Sequence, residues 1–314
     1  MTARTILITG AGGFTGRHAC RQFMNAGWNV IGIVSPRSPA GDGIEASHVE
    51  KCDLTDGAAV MRLLKRMEPT AVLHAAGRNA VDYSWKDPTS TIAVNFMSTV
   101  YILEAVRAMG PCKVLIIGSM LRSEQEGISV PAHPYGFSKT LQAEVAKAWH
   151  HLYGLPVMVA EPSNLIGPGG SAGLCGKIAR WTIAAEEAGG QLPPFQLSSL
   201  HEARDFLDVR DAVSAYEIVL EDGVPGSNYA LESGAFRTLG EVRQTFDEAS
   251  SIVLPWVIGN DSSRASPAAR DTSYIRELGW KPVYSFRQSI RDALEDERKR
   301  RQRERGGSPS DRMA

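Results

Sequence analysis

Net charge is almost absent from this chain: 34 lysines and arginines face 35 aspartates and glutamates, a formal balance of −1. No basic or acidic field therefore argues for nucleic acid or a membrane surface as a partner. Cysteine is scarce. The four present, Cys20, Cys52, Cys112 and Cys175, are scattered, form no CxxC pair and have no histidine at ligand spacing. That excludes a disulfide scaffold, argues against structural zinc and suits a reducing compartment. Long hydrophobic runs are missing too, and no window reaches the ~18 consecutive apolar residues of a membrane span. Met1 leads directly into a strand-like stretch, without the basic and apolar regions of a secretory signal. A cytoplasmic protein is expected. What is present is ordinary for an enzyme: 314 residues, 43% hydrophobic and 22% charged, enough for one large α/β unit or two fused ones.

Short apolar runs at 5–9, 30–34, 71–74, 114–117 and 157–160 alternate with amphipathic stretches. The clearest of these carries Ile92, Phe96, Val100, Leu103 and Val106 at helical spacing. Strands alternating with helices predict βαβ units and a doubly wound parallel sheet, with a cofactor crevice at the carboxyl ends of its strands. Beyond Pro162 the rhythm breaks. Stretches 166–176 and 189–200 are rich in Gly, Pro and Ser and read as loops. Helices are expected over 177–188 and 208–220 and around Phe286, Ile290 and Leu294, and a short strand over 229–231. The expected organisation is a dinucleotide-binding domain over 1–165 plus about 206–232. A smaller discontinuous substrate lobe covers about 166–205 and 233–297, and 298–314 forms a charged tail.

After the first strand comes Thr9-Gly10-Ala11-Gly12-Gly13-Phe14-Thr15-Gly16. The spacing G-x-x-G-x-x-G fits Gly10, Gly13 and Gly16, whereas G-x-G-x-x-G fails at Thr15. Either form lets backbone approach a pyrophosphate at a helix N-terminus carrying partial positive charge. An NAD site usually places an acid at the end of the second strand, about 20 residues on, to bind the ribose 2′-hydroxyl. Here that strand runs into Ser35-Pro36-Arg37. A guanidinium suits a 2′-phosphate, so NADP(H) is expected, with NAD(H) as the alternative.

In chain order the glycine loop, Asp53-Leu54, His74-Ala75-Ala76-Gly77, Asn95, Ser119 and Tyr135-Gly136-Phe137-Ser138-Lys139 resemble the extended short-chain dehydrogenase/reductases. The resemblance to this family (the NAD-dependent epimerase/dehydratase family) continues in Glu161 to Gly169, Arg204 to Val209 and Gly279-Trp280-Lys281-Pro282. It implies a Rossmann domain whose catalytic set is Ser119, Tyr135 and Lys139. Tyr135 and Lys139 are four apart and share a helix face. A lysine cation and an oxidised nicotinamide both bring down a phenol pKa that is ~10 when free. Ser119 would hydrogen-bond the substrate oxygen. The resemblance further implies that Gly10, Gly13, Phe14, Thr15, Gly16, Ser35, Arg37, Asp53, Leu54, Ala75, Ala76, Gly77 and Pro162, with Tyr135 and Lys139, line the cofactor. Asn95 supports the lysine. A homodimer pairing the helices at 92–106 and 135–149 is also implied.

After the serine the run is Ser119-Met120-Leu121-Arg122, with Glu124 the next acid. That departs from the 4,6-dehydratases, which need extra acid–base groups there. No cysteine lies near Ser119, as fucose-synthase types require, and Ser35 with Arg37 leans away from NAD-holding 4-epimerases. The chain is most similar to the GDP-6-deoxy-4-keto-mannose reductases. That implies NADP(H)-dependent reduction of a GDP-, dTDP- or UDP-linked 4-keto-6-deoxy sugar, with Ser119, Asn164, Lys177, Arg204 and Arg264 as substrate contacts. An NAD-dependent 4-epimerase or atypical dehydratase, a hydroxysteroid- or flavonol-type reductase, and a non-catalytic NADP-binding protein remain alternatives. Glu161-Pro162-Ser163-Asn164 departs from the family's Arg-Pro-Phe-Asn, which points to an atypical substrate.

Overall fold

The computed structural model describes residues 4–38, 43–121, 131–260 and 268–306. The chain opens with β1 (Thr5–Thr9), α1 (Phe14–Asn25), β2 (Asn29–Val34), β3 (His48–Lys51), α2 (Gly57–Met67) and β4 (Ala71–His74). Next come α3 (Val81–Lys86), α4 (Pro88–Ile92), a π-helical turn (Ala93–Met97), α5 (Ser98–Met109), β5 (Lys113–Ile117), α6 (Pro134–Tyr153) and β6 (Val157–Pro162). They are followed by β7 (Asn164–Ile166), α7 (Leu174–Glu187), β8 (Phe195–Leu197), β9 (Ala203–Asp208), α8 (Val209–Asp222) and β10 (Asn228–Leu231). The last are β11 (Phe236–Thr238), α9 (Leu239–Ala249), β12 (Trp256–Ile258), α10 (Ser273–Glu277) and α11 (Phe286–Gly306).

These elements fall into two compact units. One takes in residues up to 163 with 212–231 and 271–281; the other takes in 164–211, 232–270 and 282 onward. The stretch 271–281, assigned above to the substrate lobe, thus packs with the first unit. Trp280, 3% exposed, donates its indole N–H to Ser214 Oγ at 3.1 Å there.

The first unit is built on a seven-stranded parallel sheet in the order β10-β6-β5-β4-β1-β2-β3. Every neighbouring pair is parallel, so both faces must be covered by helices. The side chains obey the period of two. Leu7, Ile33, Val72, Ile116 and Val159 meet Leu64 of α2, Leu103 of α5 and Ala143 of α6 in one core. Ile6, Ile8, Leu73 and Leu115 alternate with them and are fully buried as well. The strand order reverses between β1 and β4, the switch point where carboxyl strand ends part to admit a ligand.

Residues 88–109 are the one helical stretch among those described that is long and apolar enough to cross a membrane by length and composition. Here α5 packs on α2 and α6. The second unit holds a three-stranded sheet, β11-β9-β7, and a parallel pair, β12-β8. Its core joins Ile178, Phe206, Phe246, Ile290 and Leu294. The charge run near the end continues α11 to Gly306, with Arg298 paired to Glu186 at 2.9 Å and Arg301 to Glu187 at 2.7 Å.

Candidate active site

Glycine is required at the carboxyl end of β1 for steric reasons. A Cβ on Gly16 would lie 2.0 Å from the Gly10 carbonyl oxygen, and one on Gly10 would lie 2.8 Å from Ala76 Cα. Gly10 also has φ +69°, which only glycine adopts without strain. Gly13 caps α1 and makes no side-chain cap to the helix's first amides, which suits that helix start to a phosphate. Phe14 and Thr15 begin that helix, half-buried. The loop is tied to β4 through Thr9, whose hydroxyl oxygen accepts the Ala76 amide at 3.1 Å and meets His74 Nδ1 at 2.8 Å. Burial keeps His74 neutral, its pKa pushed down to about 3. Ala75, Ala76 and Gly77 follow directly, partly exposed. These features fit a dinucleotide pyrophosphate.

At the end of β2, Arg37 is exposed and its backbone amide donates to Ser35 Oγ at 3.3 Å. Thr55, hydrogen-bonded to Asp53 by hydroxyl and amide, holds that carboxyl below its usual range, and the charge of Arg37 adds to the effect. The guanidinium, Asp53 and half-buried Leu54 thus share one corner. Arg17, which the sequence reading passed over, adds a cation beside the loop. Its guanidinium donates to the carbonyls of Gly12 at 3.1 Å and Gly43 at 3.0 Å.

Ser119 follows β5, and Tyr135 and Lys139 lie one turn apart near the start of α6. All three are buried, at 7%, 6% and 3% exposure. Pro134 and His133 set that start: Pro134 occupies the first turn, and His133 Nδ1 accepts the Gly136 amide at 2.8 Å. The His133 ring stacks on Tyr135, with centroids 6.0 Å apart and planes 18° apart. Burial raises the tyrosine's pKa, and a hydrogen bond with Ser119 opposes the rise. Burial also pushes Lys139 down to about 7. Its Nζ donates to the Ile117 carbonyl at 2.8 Å and to Gln142 Oε1 at 2.9 Å. Asn95 is clamped to the loop after β4: its Oδ1 accepts the Arg78 amide at 2.7 Å and its Nδ2 donates to the Arg78 carbonyl at 3.1 Å. Pro162, at the end of β6, accepts the Met120 amide at 3.3 Å. A phenol, a hydroxyl and a buried amine in this arrangement can pass a proton to or from a carbonyl oxygen.

Of the expected substrate contacts other than Ser119, Asn164, Lys177 and Arg204 lie in the second unit, and two of them are more engaged than their sequence context suggests. Asn164 Nδ2 donates to the Asp205 carbonyl at 2.9 Å. Arg204 directs two nitrogens at Glu202 Oε1, at 2.9 and 2.6 Å, so its charge already has a partner. Lys177 is exposed on α7. Arg264, like Arg122 and Glu124, lies outside the described residues.

A GDP-6-deoxy-D-mannose reductase of Pseudomonas aeruginosa is 28% identical to this chain, covering 94% of it and 97% of that protein. A dTDP-glucose 4,6-dehydratase of Xanthomonas campestris pv. campestris is 30% identical, with 91% of each covered. Among solved structures, RMD from Pseudomonas aeruginosa complexed with NADPH superposes with a TM-score of 0.80 at 26% identity, over 95% of this chain and 98% of that one. Thermotoga maritima UDP-glucose 4-epimerase reaches 0.83 at 20% identity, over 94% and 99%, a likeness of fold. The family match spans residues 6–231, from the first strand of the parallel sheet to its last, and so the chain belongs to the NAD dependent epimerase/dehydratase family.

Proposed function

We propose that this chain is a cytoplasmic, NADP(H)-dependent reductase of a nucleotide-diphosphate 4-keto-6-deoxy sugar. The observation that carries the reading is a complete Ser119, Tyr135 and Lys139 set in the same unit as a β2 terminus that runs into Ser35-Pro36-Arg37, with Arg37 and no carboxylate. Gly10, Gly13 and Gly16 would hold the pyrophosphate and Arg37 the 2′-phosphate. When bound, a nicotinamide supplies hydride to the C4 carbonyl carbon. Ser119 orients the carbonyl oxygen, Tyr135 protonates it, and Lys139 supports the phenolate that remains. Asn164 and Lys177 are the proposed contacts to the substrate's nucleotide, with Arg204 after release from Glu202. The 28% identity to the reductase supports this reading. The 30% identity to a 4,6-dehydratase keeps a second one, intramolecular redox chemistry on a similar sugar nucleotide.

Ligand-dependent melting separates the two, because a ligand that binds only the folded state raises Tm. GDP and NADPH are expected to raise it. NAD retained through purification, with no response to NADPH, would reverse the assignment in favour of epimerase or dehydratase chemistry.

Arg37 gives a sharper test of cofactor choice. A charge-assisted contact of ~1.5–3 kcal/mol corresponds to roughly a 10- to 150-fold preference for NADP(H). Arg37→Ala is expected to erase most of it and leave NADH binding little changed. Ser35→Asp should invert it by repelling the phosphate and accepting from a free hydroxyl. Titrating both cofactors against the three proteins checks this, and equal wild-type affinities would refute it.

The same reading includes a homodimer through α5 and α6, since α6 exposes Phe137, Leu152 and Tyr153. Sedimentation at micromolar concentration should give twice the chain mass; a monomer overturns the assignment.

A further inference from the structure

Behind the lysine lies a circuit of buried polar groups that the catalytic set alone does not account for. Gln142 sits on α6 three residues beyond Lys139 and is fully buried, as are Thr99 and Asn95. The Gln142 amide nitrogen donates to Thr99 Oγ1 at 2.8 Å, and Thr99 Oγ1 donates to the Asn95 carbonyl at 2.8 Å. Asn95 lies in the π turn, and its Nδ2 donates to Ser138 Oγ at 2.9 Å; Ser138 donates on to the Tyr135 carbonyl at 2.7 Å. The circuit thus leaves α6, crosses to the π turn and returns to the residue that carries the phenol.

Its direction follows from proton counting. A hydroxyl has one proton, and Thr99 spends it on the Asn95 carbonyl, so toward Gln142 it can only accept. The amide nitrogen must then face Thr99, and the amide oxygen must face the lysine. A flipped amide would aim N–H groups at the ammonium and leave Thr99 Oγ1 opposite an acceptor.

Around Lys139 the neighbours are neutral: the Ile117 carbonyl from β5, Gln142 from α6, and His74 from β4. Among the described residues no carboxylate pairs with it. Two of its three N–H groups are therefore taken by acceptors at fixed positions. The Cβ position of Gly77 lies 3.6 Å from Nζ, at the carboxyl end of β4.

We infer that Gln142, oriented by Thr99, is a positioning residue for Lys139, fixing the ammonium so that its third N–H is presented to the cofactor and Tyr135. The inference rests on the reading of Tyr135 and Lys139 given under Proposed function. Losing the amide oxygen would leave the cation less supported, and the phenolate that depends on the cation would form less readily.

The test uses Gln142→Met, Thr99→Val and Thr99→Ser in the full chain, with melting measured to confirm folding. Tyr135 ionisation is read without turnover, from the phenolate absorbance of protein saturated with NADP+ minus that of the matching Tyr135→Phe form, because the inferred third N–H contact of the ammonium is made to the bound cofactor. Gln142→Met should move that ionisation upward by about one pH unit and lower kcat by about 10-fold, with NADP(H) affinity within about threefold. Thr99→Val, which touches neither lysine nor phenol, should shift both in the same direction, and Thr99→Ser should recover them. An unmoved Tyr135 titration in Gln142→Met, whatever happens to kcat, overturns the inference. If Tyr135→Phe itself retained turnover, the catalytic reading would fail instead, while the titration would still report on Gln142.

Discussion

Tyr135→Phe is expected to lower kcat by about 10²- to 10⁴-fold, the usual contribution of a positioned general acid, while cofactor affinity stays near wild type. Only the phenolic proton is lost. The ring keeps its place between the start of α6 and His133, and Ser119 Oγ still accepts the Leu121 amide at 3.1 Å. Folding should therefore survive the substitution. Rate and NADPH affinity must be measured side by side, because a misfolded site would lose both. Retention of more than about a tenth of wild-type kcat, a loss under ~1.4 kcal/mol, would remove Tyr135 from the role of acid.

Gly16→Ala should be nearly as damaging, by a different route. The new methyl group would lie 2.0 Å from the Gly10 carbonyl oxygen and 2.8 Å from Ala11 Cα, both backbone atoms that cannot swing aside. Either α1 or the loop must move, and overpacking of this kind costs about 1–3 kcal/mol or more. The displaced amides are those that would meet the pyrophosphate, so NADPH affinity should fall by at least about 100-fold, with a lower Tm. Gly12→Ala is the control for folding: its nearest neighbours would be side-chain carbons at 3.6 and 3.8 Å, an ordinary contact. Were Gly16→Ala to melt with wild type and bind NADPH within about threefold, the steric account of the loop would be wrong.

The strands of the large sheet were legible because each central one is a continuous apolar run, as burial on both faces demands. β3 was not. His48-Val49-Glu50-Lys51 lies at the sheet edge, paired only with β2, and its charged, half-exposed side chains give no apolar signal. Ile92, Phe96 and Val100 suggested one regular helix, but spacings of four also accommodate the wider π turn that places Asn95. Ser119, Tyr135 and Lys139 could be singled out from motif order, and the structure buries all three, the serine after β5 and the other two one turn apart on α6. Gln142 and Thr99 were not singled out. Gln142 does continue the face of Tyr135 and Lys139, yet its meaning depends on a hydroxyl on another helix. The pairing of Arg204 with Glu202 could have been foreseen, because residues two apart on or beside a strand share a face. The motif context drew attention to the arginine and away from its neighbour.

Lys139 also bears on the thermodynamics of folding. An unfolded chain would hold this proton up to its ordinary pKa of 10.5, whereas the folded, cofactor-free chain releases it near 7. Between those values the unfolded state binds more protons, so stability rises with pH across that window. Below it, the full desolvation cost of the buried ammonium weighs against folding. This buried lysine is thus a local weakness in the fold, and selection for stability alone would replace it with an apolar side chain.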